Sequence, residues 1–180
     1  MNPVTHMETC CLELYPDKKV HIALFKNVEN ASELRQRLLT QDSTLACSLI
    51  NAKLVINKIH ILLAVNRAVS DEFTGKLKTH NVHSEILYGF GVTNNIGKTF
   101  STFGIADDTT DVLAVKIDES ERDAESHLRK CVQGHLVPLD DLSTTTDLKS
   151  IENIYQLGNL EQDTNIILSL VAGAMALRGH

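Results

Sequence analysis

The sequence predicts an α+β fold: a single domain over residues 1–180 with a mixed, mostly antiparallel sheet of about four or five strands flanked by helices. Three observations carry this. Short apolar runs of strand length, such as VHIALFKNV and DVLAVKI, stand beside longer stretches with apolar residues at helical spacing. The two kinds follow one another without a regular strand–helix–strand rhythm, which argues against a parallel α/β sheet. The 180 residues are 43% hydrophobic, with three prolines and no Pro/Gly/Ser-rich linker, so one sizeable core can form.

The elements follow in chain order. METCCLELY and VHIALFKNV read as two strands, with the polar PDKK between them as the turn. Asn30 then caps a helix over ASELRQRLL, with Glu33 three residues on. SLINAKLVIN reads either as a short strand or as an irregular buried run. KIHILLAVNRAVSDEF is a strong helix: Leu62, Val65 and Val69 share one face, and Ile61, Ala64 and Ala68 the adjacent one. SEILYGF reads as a strand. TNNIGKTFSTF is a short helix stopped by Gly104 and capped by Asn94 or Thr93. DVLAVKI is a strand, and Ser120 with Asp123 opens a helix to about Val132. Two helices close the chain, around DLKSIENIYQL and, capped by Asp163, DTNIILSLVAGAMALRG.

Residues 89–100, GFGVTNNIGKTF, imitate a phosphate-binding loop. That loop needs G-x-x-x-x-G-K-[ST], because its backbone N–H groups must wrap the phosphates at a fixed length. Here five residues separate Gly91 from Gly97, which moves the donors out of register. The dinucleotide pattern G-x-G-x-x-G fails as well, since Asn94 stands where its third glycine belongs. A nucleotide-using enzyme built on this loop is therefore the weaker alternative. His80 and His83 form the one close histidine pair, and no cysteine or carboxylate completes a zinc set with them. No G-x-S-x-G occurs. Glu85 is expected to be a carboxylate bonded to loop backbone rather than a tuned acid. The sequence thus offers no catalytic residue, no metal site and no cofactor site.

Cys10, Cys11, Cys47 and Cys131 form no C-x-x-C, which suits reduced thiols in a cytoplasmic or nuclear protein. No secretory signal is evident at the N-terminus, and the longest strongly apolar stretch, residues 166–177, is too short to span a bilayer. The net charge of −6 excludes nucleic-acid binding by the whole surface, but its distribution is uneven. Lys53 to Lys98 holds six bases against three acids, while Asp107 to Glu125 holds eight acids against two bases.

The ordered set "ALFKNVENASELRQRLL", "SLINAKLVIN", "NKIHILLAVNRAV", "GKLKTHNVHSEILYGFGVTNNIGKTFSTFGI" and "IENIYQL" resembles the small kinase-binding subunit of the KEOPS (EKC) complex, the PRPK-binding protein family. The resemblance covers roughly residues 12–178. It implies a protein without catalytic machinery that docks on the N-lobe of a small atypical kinase. It also implies indirect association with the other subunits, and support for N6-threonylcarbamoyladenosine formation on tRNAs that read codons beginning with A. The family helps hold the tRNA 3′ end, which implies a tRNA-binding group of Lys58, Arg67, Lys76, Lys78 and His80. His80 departs from the family's usual Arg, and a neutral imidazole attracts phosphate less. Such a patch would meet phosphate rather than sequence. For the kinase, the C-terminal helix offers Ile166, Ile167, Leu170, Val171, Ala174 and Met175, the methionine as an adaptable contact. A structural adaptor without RNA contact is the remaining alternative.

Overall fold

The structure is a computed structural model that describes residues 6–158 and 163–178. In chain order the elements are β1 (Glu8–Leu12), β2 (Tyr15–Lys26), α1 (Ala31–Leu39), β3 (Ser48–Asn51), α2 (Lys58–Phe73), α3 (Val82–Gly89), α4 (Ile96–Phe103), β4 (Val112–Ile117), α5 (Glu121–Cys131), β5 (His135–Val137), α6 (Leu148–Tyr155) and α7 (Thr164–Leu177). Short 3-10 turns cover Ala52–Leu54 and Leu139–Thr144. The class is α+β, with a five-stranded antiparallel sheet. The chain divides into two compact units: residues up to Asn51 together with Ile105–Asp141, and Ala52–Gly104 together with Leu142 onward.

The first unit holds the whole sheet. Its order is β1-β2-β4-β3, and β5 also pairs with β2. All these pairings are antiparallel. β4 takes one edge of β2 at Val20–Phe25, so β1 and β5 lie end to end along the other, at Tyr15–Ile22 and Leu24–Lys26. One face of the sheet carries Ala23, Phe25, Leu49, Val112 and Ala114, which cluster with Ala31 and Leu34 of α1 and with Ala124 and Leu128 of α5. The buried His21 is satisfied at both ring nitrogens: Nδ1 faces the Thr9 hydroxyl at 2.9 Å and Nε2 the Asp118 carbonyl at 3.0 Å. The Lys116 ammonium donates to the Ala46 carbonyl at 2.9 Å. Burial pushes the Cys47 thiol up to about 12, which leaves it a packed, unreactive group.

Two expectations change here. PDKK is not the turn but part of β2; the chain reverses at Glu13-Leu14, with an irregularity between Cys11 and Leu12. Asn30 sits at the cap position of α1 but makes no side-chain cap bond. Its amide instead spans to the end of α5, donating to the Cys131 carbonyl and accepting from the Gln133 N–H, both at 2.9 Å.

The second unit is helical. α2 begins at Asn57, whose side chain accepts from the His60 N–H, and buries His60, Ile61, Ala64, Val65, Ala68 and Val69. SEILYGF is not a strand but most of α3. Asn81 caps that helix by accepting from the Ser84 N–H, and six of its eight residues are buried. Period-2 and period-3.6 patterns cannot be told apart in a helix this short whose run Ile86–Gly89 is apolar at every position. α3 can lie close on α2 because Gly89 meets Ala64: a Cβ there would stand 3.0 Å from the Ala64 methyl. Asn95, rather than Asn94 or Thr93, caps α4. Behind these helices the rings of His60, Phe90, Phe103 and Tyr155 stack edge-on or tilted, with centroids 4.8 to 5.9 Å apart.

Candidate functional site

The glycine loop uses its polar groups for its own fold. Thr99 is buried, and a Cβ on Gly91 would run into its hydroxyl. Gly91 is therefore required by that packing. The Lys98 N–H, which a phosphate loop would turn to a ligand, is bonded to the Asn95 carboxamide at 2.9 Å. Freeing it would cost a helix cap, about 1 kcal/mol. Calorimetric titration of the isolated chain with Mg-ATP is accordingly expected to give no saturable heat. A one-to-one micromolar isotherm that disappears in Lys98→Ala would contradict this.

A polar recess of about 190 Å³ opens elsewhere in the helical unit, lined by Arg67, Asp71, Lys76, Lys78, Glu85, Tyr88, Asn94 and Arg178. Four bases face two acids there. Glu85, from α3, closes the segment after α2: one carboxylate oxygen accepts from the Lys78 N–H (3.0 Å), the Thr79 N–H (2.9 Å) and the Thr79 hydroxyl (2.7 Å). Its role toward the loop backbone is the expected one, although it projects from a helix. Arg178 is buried with its guanidinium 3.9 Å over the Tyr88 ring, and it donates to the Tyr88 and Gly91 carbonyls. Burial, and then the neighbouring Arg67, lower its pKa. Arg67 donates to the Met175 carbonyl at 2.8 Å and the Arg178 carbonyl at 3.1 Å, which caps the C-terminus of α7.

Of the five residues expected at a tRNA contact, the fold gathers Arg67, Lys76 and Lys78 at one recess. His80 is exposed on the same loop but outside the lining. Lys58 opens α2, nine residues before Arg67, so about 13 Å separates them along the helix axis at 1.5 Å per residue. It does not join the recess. Arg178 is the residue that sequence reasoning misses: an arginine after an apolar helix carries no sign that it folds back over Tyr88.

α7 supplies the second surface. Asp163 caps it, accepting from the Asn165 and Ile166 N–H groups. Ile167, Val171 and Met175, each four residues apart, are buried. Ile166, Leu170 and Leu177 remain 50%, 42% and 70% exposed, with Ala174 half-buried beside them. The six residues expected at the kinase thus fall on two faces. Ile167, Val171 and Met175 pack inside the chain, so Met175 is not an adaptable surface contact. Ile166, Leu170 and Ala174 remain available.

A family model described as "Kinase binding protein CGI-121" matches residues 25–179, and so spans both units. The chain belongs to this family. Among curated relatives of the CGI-121 family, the EKC/KEOPS complex subunit cgi121 of Aspergillus fumigatus is 41% identical over 170 residues, covering 89% of each chain. The EKC/KEOPS complex subunit CGI121 of Yarrowia lipolytica is 38% identical, covering 91% of this chain and 95% of its own. The EKC/KEOPS complex subunit TPRKB of Danio rerio is 33% identical, covering 93% and 95%. Among the described residues no helix is long and apolar enough to cross a membrane.

Proposed function

We propose that this CGI-121-family chain is the non-catalytic, kinase-binding subunit of an EKC/KEOPS complex. It holds the small atypical kinase through the exposed stripe of α7, and it meets the other subunits through the kinase. In that assembly it supports N6-threonylcarbamoyladenosine formation, with the recess at Arg67, Lys76 and Lys78 helping to hold the tRNA 3′ end. The cytoplasm and nucleus are where this work is done. The observation that carries the proposal is the two-faced α7: one apolar stripe packs into the chain's own core, and a second is left uncovered on a protein of a kinase-binding family. Titrating the purified chain into the kinase, with Leu170 intact and replaced, tests it.

The RNA part has its own test. Replacing Lys76 and Lys78 with Glu is expected to weaken tRNA binding by the assembled complex. The salt dependence should become shallower as well, because each phosphate that is no longer neutralised lowers the log–log slope by roughly 0.7 on single-stranded RNA. Equal binding by wild type and double variant at 50 and 150 mM salt would leave a structural adaptor without RNA contact, since both values lie within the range that separates charge-driven binders, on the order of tens to hundreds of millimolar.

A further inference from the structure

Two arginines hold the last turn of α7. The final carbonyls of any helix lack an intrahelical donor. Here Arg67, on α2, supplies one: Nη1 donates to the Met175 carbonyl at 2.8 Å and Nη2 to the Arg178 carbonyl at 3.1 Å. Arg178, just past the helix, reaches the other way, and its Nη1 donates to the Tyr88 and Gly91 carbonyls at the end of α3. Together they clasp α7 to α2 and α3. The clasp carries an electrostatic load. Both guanidiniums line the recess that Lys76 and Lys78 also face, and among the described residues neither forms a salt bridge. Burial first, and then Arg67, lower the pKa of Arg178. The helix is weakened at the same end. Gly173 stands between the buried Val171 and Met175, and a Cβ on it would meet nothing within 4 Å. A mid-helix glycine without a packing reason favours unwinding.

We propose that this clasp couples the two surfaces: a phosphate held in the recess closes it, and the closed clasp completes the kinase-binding stripe at Ala174 and Leu177. The inference rests on the tRNA reading of the recess and the kinase reading of α7, and adds the regulation of one by the other. Its sign follows from the donors. A guanidinium has five N–H groups. Arg67 spends two on α7, and Arg178 bonds through Nη1 alone. Both can turn their remaining donors to a phosphate without releasing a carbonyl, and the anion offsets the repulsion between them. With the clasp open, the last turn frays and Leu177, 70% exposed, leaves the line of Leu170 and Ile166. RNA and kinase thus both favour the closed form, and by linkage each raises the other's affinity by the same factor. A factor of about three corresponds to a last turn that is open in roughly two-thirds of unliganded chains.

The test titrates the full chain into the purified kinase with and without saturating tRNA, at one salt concentration. Kinase affinity is expected to rise about threefold with tRNA, and tRNA affinity to rise by the same factor with saturating kinase. In the chain without kinase, tRNA should slow amide hydrogen exchange at Ala174–Leu177 more than in the first two turns of α7. Arg67→Lys keeps the charge but loses the fork, since one ammonium cannot span two carbonyls and a phosphate. Whatever it does to either affinity alone, its coupling factor should drop to about one. A variant that keeps the wild-type factor overturns the inference, because a kinase that touches the tRNA directly gives that result. Should wild type show a factor of one while Lys76→Glu/Lys78→Glu still weakens tRNA binding, the coupling falls and the tRNA contact stands. If the lysine variant binds tRNA as well as wild type does, both fall.

Discussion

Replacing Leu170 with Asp is expected to leave the fold intact and to weaken kinase binding by about 100-fold or more. Leu170 is 42% exposed on α7, so a carboxylate there stays hydrated in the free chain and costs little. Against a partner the same carboxylate would be stripped of water without a counter-charge, a penalty of several kcal/mol, or more than two decades in affinity. Ile166→Asp should behave similarly. Val171→Asp is the contrast: Val171 is fully buried, so a charge there should unfold the helical unit before any binding is measured. Circular dichroism and titration into the kinase separate the two cases. A folded Leu170→Asp chain with unchanged affinity would remove the exposed α7 stripe from the interface.

Acid should unfold this protein through His60 in the pH range where that ring would ordinarily be charged. His60 is fully buried; its Nδ1 accepts from the Ile56 N–H at 3.2 Å, and its Nε2 meets the Tyr155 hydroxyl at 3.1 Å. That hydroxyl donates to the Phe90 carbonyl at 2.6 Å, so Nε2 carries the proton and Nδ1 must stay bare. Burial lowers its pKa from the usual 6.5 to about 3. The unfolded chain therefore binds a proton between those values that the folded chain refuses. Above about pH 6.5 His60 has no effect on the pH dependence. As pH falls from 6.5 toward 3, stability is lost at up to about 1.4 kcal/mol per unit, approaching some 5 kcal/mol in all. That is comparable with the whole stability of many domains. Urea midpoints at pH 7.5, 6 and 5 should thus fall more steeply for wild type than for His60→Phe, even though the variant starts lower for want of the Ile56 and Tyr155 bonds. Parallel curves would mean that His60 does not set the acid limit.

Much of the fold is legible in the sequence, and the reasons are local. α2 is readable to the residue because a polar cap, Asn57, precedes sixteen residues of consistent spacing. α5 is readable because Ser120 accepts from the Asp123 N–H as the sequence suggests. What fails is decided at a distance. α3 is eight residues long and its run Ile86–Gly89 is apolar at every position, so only its packing at Gly89 on Ala64 says helix. β5 is three residues long and exists because β2 has an edge left over beyond β1. At the site, the charges Lys76 and Lys78 are visible in the sequence, but their neighbours are not. Arg178 arrives from the far end of the chain, and Lys58, close to Arg67 in sequence, is carried off by the rise of its helix. Likewise, which stripe of α7 faces inward depends on the partner helix, not on α7's own composition.

The sheet also sets an order of events during synthesis. β2 ends at Lys26, but the strand that takes its Val20–Phe25 edge begins at Val112, and β5 follows at His135. Some 85 residues must leave the ribosome between them, at a pace of about 5–20 residues per second, which is several seconds. Over that interval the apolar stretch VHIALF has only the β1 hairpin for company and one edge open, the condition under which nascent strands pair with the wrong neighbour. α2, α3 and α4 need only contacts within residues 58–103 to begin forming, and are complete in sequence before β4 exists. Mispairing during synthesis would therefore start at β2, while the helical segment between β3 and β4 is ready early.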